Sequence, residues 1–217
     1  MMVHNLSQHN SIFTQFLNEI RDENIQKDSM RFRRNMERIG EIMAYELSKT
    51  LNYSPSETIT PLGTAETVTL TEQPVVATIL RAGLPMHFGI LNYFDKGQNA
   101  FVSAYRRHHK DNTFEIALEY VACPDLTDKV LILCDPMLAT GSSMVLTYKA
   151  LLAKGKPKHT HLVSAICSQQ GVDYVKTHMP DANYTLWCGA IDEELTAQAY
   201  IVPGLGDAGD LAFGSKL

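Results

Sequence analysis

No run of residues in this chain approaches the roughly 18 consecutive apolar positions that a membrane-spanning helix requires. The first residues, Met-Met-Val-His-Asn-Leu-Ser, lack the basic start and apolar core of a secretory signal. Both absences give the expectation of a cytoplasmic protein with no membrane partner. The four cysteines, Cys123, Cys134, Cys167 and Cys188, form no Cys-x-x-Cys pair, and no His-Glu-x-x-His string accompanies His108 and His109 or His159 and His161. Neither a zinc site nor a disulfide framework is therefore expected, and the cysteines read as buried free thiols. Positive charge is short as well: 19 Lys and Arg stand against 24 Asp and Glu, a formal charge of −5, which disfavours nonspecific binding to nucleic acid. Gly-x-x-x-x-Gly-Lys-Ser/Thr is missing, so nucleoside triphosphate hydrolysis loses its main support. With no repeat or low-complexity tract in 217 residues, one domain over residues 1–217 is expected.

What is present is organised around Val130 to Met144. Val130-Leu131-Ile132-Leu133-Cys134 is too short for a helix and too evenly apolar for a half-exposed strand, so it reads as a strand buried on both faces. Asp135 and Pro136 end it, and Thr140-Gly141-Ser142-Ser143 supplies hydroxyls and a turn ahead of a helical pattern. Such a loop before a helix start offers unpaired N–H groups to an anion. Asp135 would be wasted on phosphate alone, but its carboxylate can accept hydrogen bonds from two sugar hydroxyls. Ribose phosphate fits both ends.

The string Asp135-Pro136-Met137-Leu138-Ala139-Thr140-Gly141 resembles that of uracil phosphoribosyltransferases among the type I phosphoribosyltransferases. So do Ile79-Leu80-Arg81-Ala82-Gly83 and the stretch from Tyr200 to Asp210, Tyr-Ile-Val-Pro-Gly-Leu-Gly-Asp-Ala-Gly-Asp. The likeness runs from about Asp28 to the end. It implies an α/β fold with a largely parallel central sheet and helices on both faces, a β-hairpin flap and a C-terminal base-binding loop. It further implies transfer of 5-phosphoribose from phosphoribosyl diphosphate to uracil, giving UMP and diphosphate in pyrimidine salvage. The pattern is departed from in three places: Ser142 and Pro85 stand where glycine is usual, and Leu211-Ala212 replaces a usual basic residue before Phe213-Gly214.

The remaining chain is consistent with that fold. Ile12, Phe13, Phe16, Leu17 and Ile20 share one helical face behind a Ser11 cap, and Phe32, Met36, Ile39, Met43 and Leu47 form the stripe of a longer helix. Its arginines, Arg31, Arg34 and Arg38, read as a solvated face or subunit contact, and Arg33 has no assignment. Thr58 to Thr71 is strand-like, and Val75 to Leu80 is a central strand that delivers Arg81 to the carboxyl edge of a sheet, where open α/β folds bind ligands. A structural ion pair is the plainer reading of Arg81. Ala100 to Tyr105 and Phe114 to Tyr120 suggest a two-stranded flap with a basic tip, Arg106-Arg107-His108-His109-Lys110, of which Arg107, His108 and His109 have no assignment. A helix from about Ser143 to Lys154 closing at Gly155, a strand at His161 to Ile166, a short helix at Val172 to Thr177, a turn at Met179-Pro180-Asp181 and a strand at Tyr184 to Cys188 complete the alternation.

Gly204-Leu205-Gly206-Asp207-Ala208-Gly209 satisfies Gly-x-Gly-x-x-Gly, but with eight residues after Gly209 no strand–helix–strand unit follows. A loop with no helix behind it, folded around a small planar ligand, is expected instead. The resemblance implies backbone contacts from Ile201, Gly206 and Ala208 to uracil, with Tyr200 beside them and Asp207 near the reacting nitrogen and the diphosphate. It implies phosphoribosyl diphosphate binding by Arg81, Arg106, Asp135, Pro136, Met137, Leu138, Ala139, Thr140, Gly141, Ser142, Ser143 and Asp207, with Asp207 and Arg106 the catalytic pair. Mg²⁺ is the implied cofactor, held mainly through the diphosphate with no direct protein ligand. A homodimer or larger homo-oligomer is implied, and GTP is admitted as an effector. The competing readings are a phosphoribosyl diphosphate- or nucleotide-sensing regulator of the same fold, and a transferase for another nucleobase.

Overall fold

Val130–Cys134, five apolar residues without a break, form β7 at the centre of the main sheet, and all five are buried. Their side chains alternate between two apolar layers: Leu131 and Leu133 enter one cluster, Ile132 and Cys134 the other. In this computed structural model residues 2–108, 114–179 and 183–215 are described, residues 104–108 and 114–118 by backbone alone.

The chain opens with β1 (Met2–Asn5) and a 3₁₀ turn, followed by α1 (Ile12–Arg21) and α2 (Ser29–Ser48). Ser11 caps α1 by accepting the Phe13 N–H at 3.3 Å, and Asp28 caps α2 by accepting from Met30 and Arg31 at 3.0 and 3.1 Å. The stripe from Phe32 to Leu47 is buried, as its spacing predicts. The arginine row is an ion-paired surface. Arg31 bonds both oxygens of Glu19 at 2.8 Å, Arg34 lies 2.8 Å from Glu37, and Arg38 bonds Asn35 and overlies Phe16. The Arg31 hydrogen bonds hold the Glu19 carboxyl down at about 2.

A hairpin, β2 (Tyr53–Thr60) and β3 (Gly63–Leu70), forms a separate two-stranded sheet that pairs with no other strand among the described residues. Then come β4 (Val75–Leu80), α3 (Leu84–Leu91), β5 (Gln98–His108), β6 (Phe114–Ala122) and β7. A two-residue strand β8 (Met137–Leu138), α4 (Ser142–Leu151), β9 (His159–Ser168), α5 (Gln169–His178) and β10 (Tyr184–Asp192) follow. The chain ends with β11 (Glu194–Leu195), β12 (Ile201–Val202) and α6 (Ala208–Phe213).

The main sheet runs β1-β10-β9-β7-β4-β5-β6, with β8 added to β9, and every neighbour is parallel except the antiparallel β5–β6 pair. Helices α1, α2, α3 and α6 feed one apolar layer, α4 and α5 the other, so the sheet is covered on both faces as expected. From β4 the chain moves outward to β5 and β6, then returns to place β7 on β4's other side. The crevice at the carboxyl ends of β4 and β7 is thus the topological switch point of the sheet.

Several bounds differ from the sequence expectation. The hairpin begins at Tyr53, before Thr58; α5 is ten residues long; and β1 is an additional edge strand whose four residues carry too little pattern to read. Pro85 sits in the first turn of α3, where a missing N–H has no helical partner to lose, so the departure from glycine is structurally tolerated. All four cysteines are free. Of the expected Met179-Pro180-Asp181 turn, Pro180 and Asp181 lie outside the described residues.

Candidate active site

The loops that leave β4 and β7 face the C-terminal loop across one cleft of about 170 Å³. Asp135 is the first residue beyond β7, fixed by its N–H to Val163 O (3.0 Å) and by the Ser164 hydroxyl on its own carbonyl (2.6 Å). Its carboxyl lines the cleft, and desolvation pushes it up to about 7 against the opposing effect of a Met137 N–H bond. The residue as a whole is half-buried, and hydroxyl donors from a ligand in the cleft would replace the hydration its carboxyl has lost.

Met137, Leu138, Ala139 and Thr140 continue along the cleft to Gly141, which caps α4 at φ +80, a left-handed conformation suited to glycine. A Cβ there would lie 2.9 Å from the Gly171 carbonyl oxygen. The loop is braced from behind by Ser168, whose hydroxyl donates to Ala139 O at 2.5 Å and accepts the Gly171 N–H at 2.8 Å. Thr140 Oγ1 lies 3.2 Å from Ser142 Oγ and accepts the Ser142 N–H at 3.4 Å, while Ser143 faces the cleft. Ser142 in place of glycine is therefore a helix-start residue held by its neighbour's hydroxyl.

The far wall consists of Ala199, Tyr200, Ile201, Gly206, Asp207, Ala208 and Gly209. A tight turn sets Tyr200: its carbonyl accepts the Thr196 N–H at 2.8 Å and its N–H reaches Thr196 Oγ1 at 3.1 Å. Contrary to the sequence expectation, a helix does follow the glycine-rich loop. Asp207 is the N-cap of α6 and accepts the Asp210 N–H at 3.0 Å. Six residues are too few to announce a helix by periodicity. Leu211 packs against the core and Ala212 is buried, so the absent basic residue has become packing surface.

Arg81 stands at the β4 edge, as its position predicts, and is also in the ion pair its plainer reading called for. One guanidinium nitrogen donates to Asp210 Oδ1 (3.0 Å) and Gly214 O (3.1 Å), and the Arg81 and Asp210 side chains are each 39% exposed. Its neighbour Ala82 lines the cleft, whereas Arg81, Pro136 and Ser142 do not line it directly. The backbone at Arg106 pairs with Ile116 in the antiparallel β5–β6 pair at the edge of the sheet; the side chains of Arg106, Arg107 and His108 and all of His109 and Lys110 lie outside the described residues. The structure thus gathers Asp135, Met137 to Gly141, Ser143, Tyr200, Ile201 and Gly206 to Ala208 around one space, and adds Ala82, Met144, Ala199 and Gly209. Ala82, Met144 and Gly209 lie within the stretches singled out in the sequence and only Ala199 lies outside them, but all four are small or apolar and bring no side-chain chemistry that would mark them as lining residues.

Among the described residues no group of three His, Cys, Asp or Glu side chains is placed to hold a metal ion. Among the described residues no helix is long and apolar enough to cross a membrane.

The chain matches the family model described as uracil phosphoribosyltransferase over residues 6–215. It is 58% identical, over the full length of both chains, to the uracil phosphoribosyltransferase of Porphyromonas gingivalis. It is 42% identical over 189 residues to that of Methanothermobacter thermautotrophicus, covering 86% of this chain and 85% of the relative. A solved structure, the AQ2163 protein from Aquifex aeolicus, superposes with a TM-score of 0.86 at 26% identity over the whole of both chains.

Proposed function

Because the chain belongs to the uracil phosphoribosyltransferase family and so joins uracil to the ribose of phosphoribosyl diphosphate in pyrimidine salvage, we propose a division of labour across the cleft. Thr140 to Ser143 take the 5-phosphate on backbone N–H groups and hydroxyls, with Pro136 to Ala139 shaping the approach. Asp135 accepts from the ribose hydroxyls. Arg81 and Arg106 take the diphosphate, Arg81 by exchanging Asp210 for the incoming anion, and Mg²⁺ bound to that diphosphate offsets its charge. The observation that carries this reading is the cleft in which Asp135, Thr140, Gly141 and Ser143 face Tyr200, Ile201, Gly206, Asp207 and Ala208.

Uracil presents an acceptor, a donor and an acceptor along one edge, a set that the backbone groups of Ile201, Gly206 and Ala208 complement, with Tyr200 packed beside them. Cytosine places an amine where uracil accepts, and each buried group left unpaired costs about 1–3 kcal/mol. The bond from uracil N1 to the ribose anomeric carbon forms as the bond from that carbon to the diphosphate oxygen breaks, with inversion. Positioning of the departing polyanion is the larger contribution, and proton removal from N1 adds at most about 10²–10⁴-fold. Asp207 assists that removal with the carboxylate oxygen not used to cap α6.

Asp207→Asn separates chemistry from structure, because asparagine caps a helix as well as aspartate. Turnover should fall by about 10²-fold with the melting temperature little changed; unchanged turnover removes Asp207 from the mechanism. Changing Arg106 to Ala should raise the KM for phosphoribosyl diphosphate about tenfold and leave that for uracil nearly constant. An unaltered dependence on phosphoribosyl diphosphate would count against the flap assignment. Four free thiols support a reducing, cytoplasmic setting, and exposed Ile59, Leu62 and Val68 on the β2–β3 hairpin support a homodimer or larger assembly. Light scattering reads the assembly, and the same assay with added GTP reads regulation.

A further inference from the structure

The C-terminal loop is tied to the first helices of the chain through backbone groups. Arg21, the last residue of α1, meets Asp192, the last residue of β10, in a two-pronged ion pair of 2.7 and 2.8 Å. Its Nη1 also donates to the carbonyl of Gly204 at 2.9 Å, while Asp192 Oδ2 accepts the Gly204 N–H at 2.9 Å. One charged pair thereby holds both backbone polar groups of a single residue. Gly204 has no freedom to be replaced: its φ is +54, and a Cβ would run into the Ile201 carbonyl oxygen. Two further donors extend the attachment. Gln26, with its amide nitrogen turned to the loop, donates to Leu205 O at 2.8 Å, and Arg33 on α2 donates to Ala212 O at 2.6 Å.

Neither Arg21 nor Asp192 lines the cleft. The pair is largely buried, its side chains 20% and 8% exposed, so its geometry is defended by the penalty of leaving one charge unpaired. Gly204 lies between Ile201 and Gly206, two of the three residues whose backbone is assigned to the base. A shift of the clamp therefore moves the uracil contacts together, whereas the 5-phosphate loop on β7 and α5 is fixed by separate bonds.

We propose that Arg21 and Asp192 are positioning residues for base recognition, a clamp on Gly204 that sets where the Ile201–Ala208 loop presents its backbone to uracil. The proposal rests on the reading that this loop holds uracil. It is tested by steady-state kinetics of Arg21→Met, Arg21→Lys and Asp192→Asn, varying each substrate in turn, with melting temperatures measured on the same samples. The expected result is a KM for uracil raised roughly tenfold or more in Arg21→Met and Asp192→Asn, a smaller rise in Arg21→Lys, and a KM for phosphoribosyl diphosphate changed by less than about threefold. A merely structural role would lower the melting temperature and active fraction without that split. Should Arg21→Met fail to fold, Arg21→Lys and Asp192→Asn carry the test. Tyr200→Ala, which touches the loop and leaves the clamp intact, serves as the control. If Tyr200→Ala raises the KM for uracil and the clamp variants do not, the clamp proposal is overturned. If neither moves it, the loop reading fails.

Discussion

Asp135 is the residue whose place at a site was most legible in the sequence and whose energetics were least so. An acid directly after five apolar residues is out of place unless a ligand uses it, and the structure puts it on the cleft wall. Its carboxyl is raised from the ordinary 3.8 to about 7 by desolvation. A group raised in this way binds more protons folded than unfolded. The stability it contributes is complete below about pH 4 and is lost as pH rises through about 7. Asp135→Asn removes that slope. The melting temperature of the variant, relative to the parent, should rise by about 2 °C or more between pH 5 and pH 8; a constant offset would show that the acid is not desolvated. Arg81 was legible in both its aspects, as a cation at a strand's carboxyl end and as half of an ion pair. Arg21 and Asp192 were not legible at all. They stand 171 positions apart, and neither has a motif around it.

At the scale of elements, periodicity identified what was long and regular. The buried stripe of α2, the two-faced burial of β7 and the stop of the α4 segment at Gly155 follow from residue spacing. Short elements escaped, since β1 has four residues and α6 has six. Support between elements escaped too: Gly171 on α5 leaves no room for a Cβ beside the Leu138 and Ala139 carbonyls, 33 and 32 residues before it in the chain. Gly171→Ala should accordingly push the loop toward the cleft, destabilising the fold by about 1–3 kcal/mol in urea titration. It should raise the KM for phosphoribosyl diphosphate more than that for uracil. Equal effects on both would show that the loop and the base site are not independently held. Ser168→Ala, which loses the α5 cap and the bond to Ala139, should lower stability by about 1 kcal/mol in the same titration.

At the scale of the molecule, the alternation of strands and helices predicted a largely parallel sheet covered on both faces, and the strand order places the cleft at its switch point. Strand order itself cannot be read from alternation, because nothing local says that β7 returns to the far side of β4. The two apolar layers share every central strand, so neither can open without exposing the other. Unfolding followed by Trp187 fluorescence and by circular dichroism should therefore coincide in one transition, and separated midpoints would argue against a single domain. The central claim is that one face of the cleft takes phosphoribosyl diphosphate while the other admits uracil alone. It is tested most directly by supplying the protein with Mg²⁺, phosphoribosyl diphosphate and, in separate reactions, uracil, cytosine, hypoxanthine, guanine or adenine. Nucleotide and diphosphate are then followed together. UMP and diphosphate in equal amounts from uracil, with no nucleotide from the other four, is the predicted result; a nucleotide formed from any other base would contradict the assignment of the C-terminal loop.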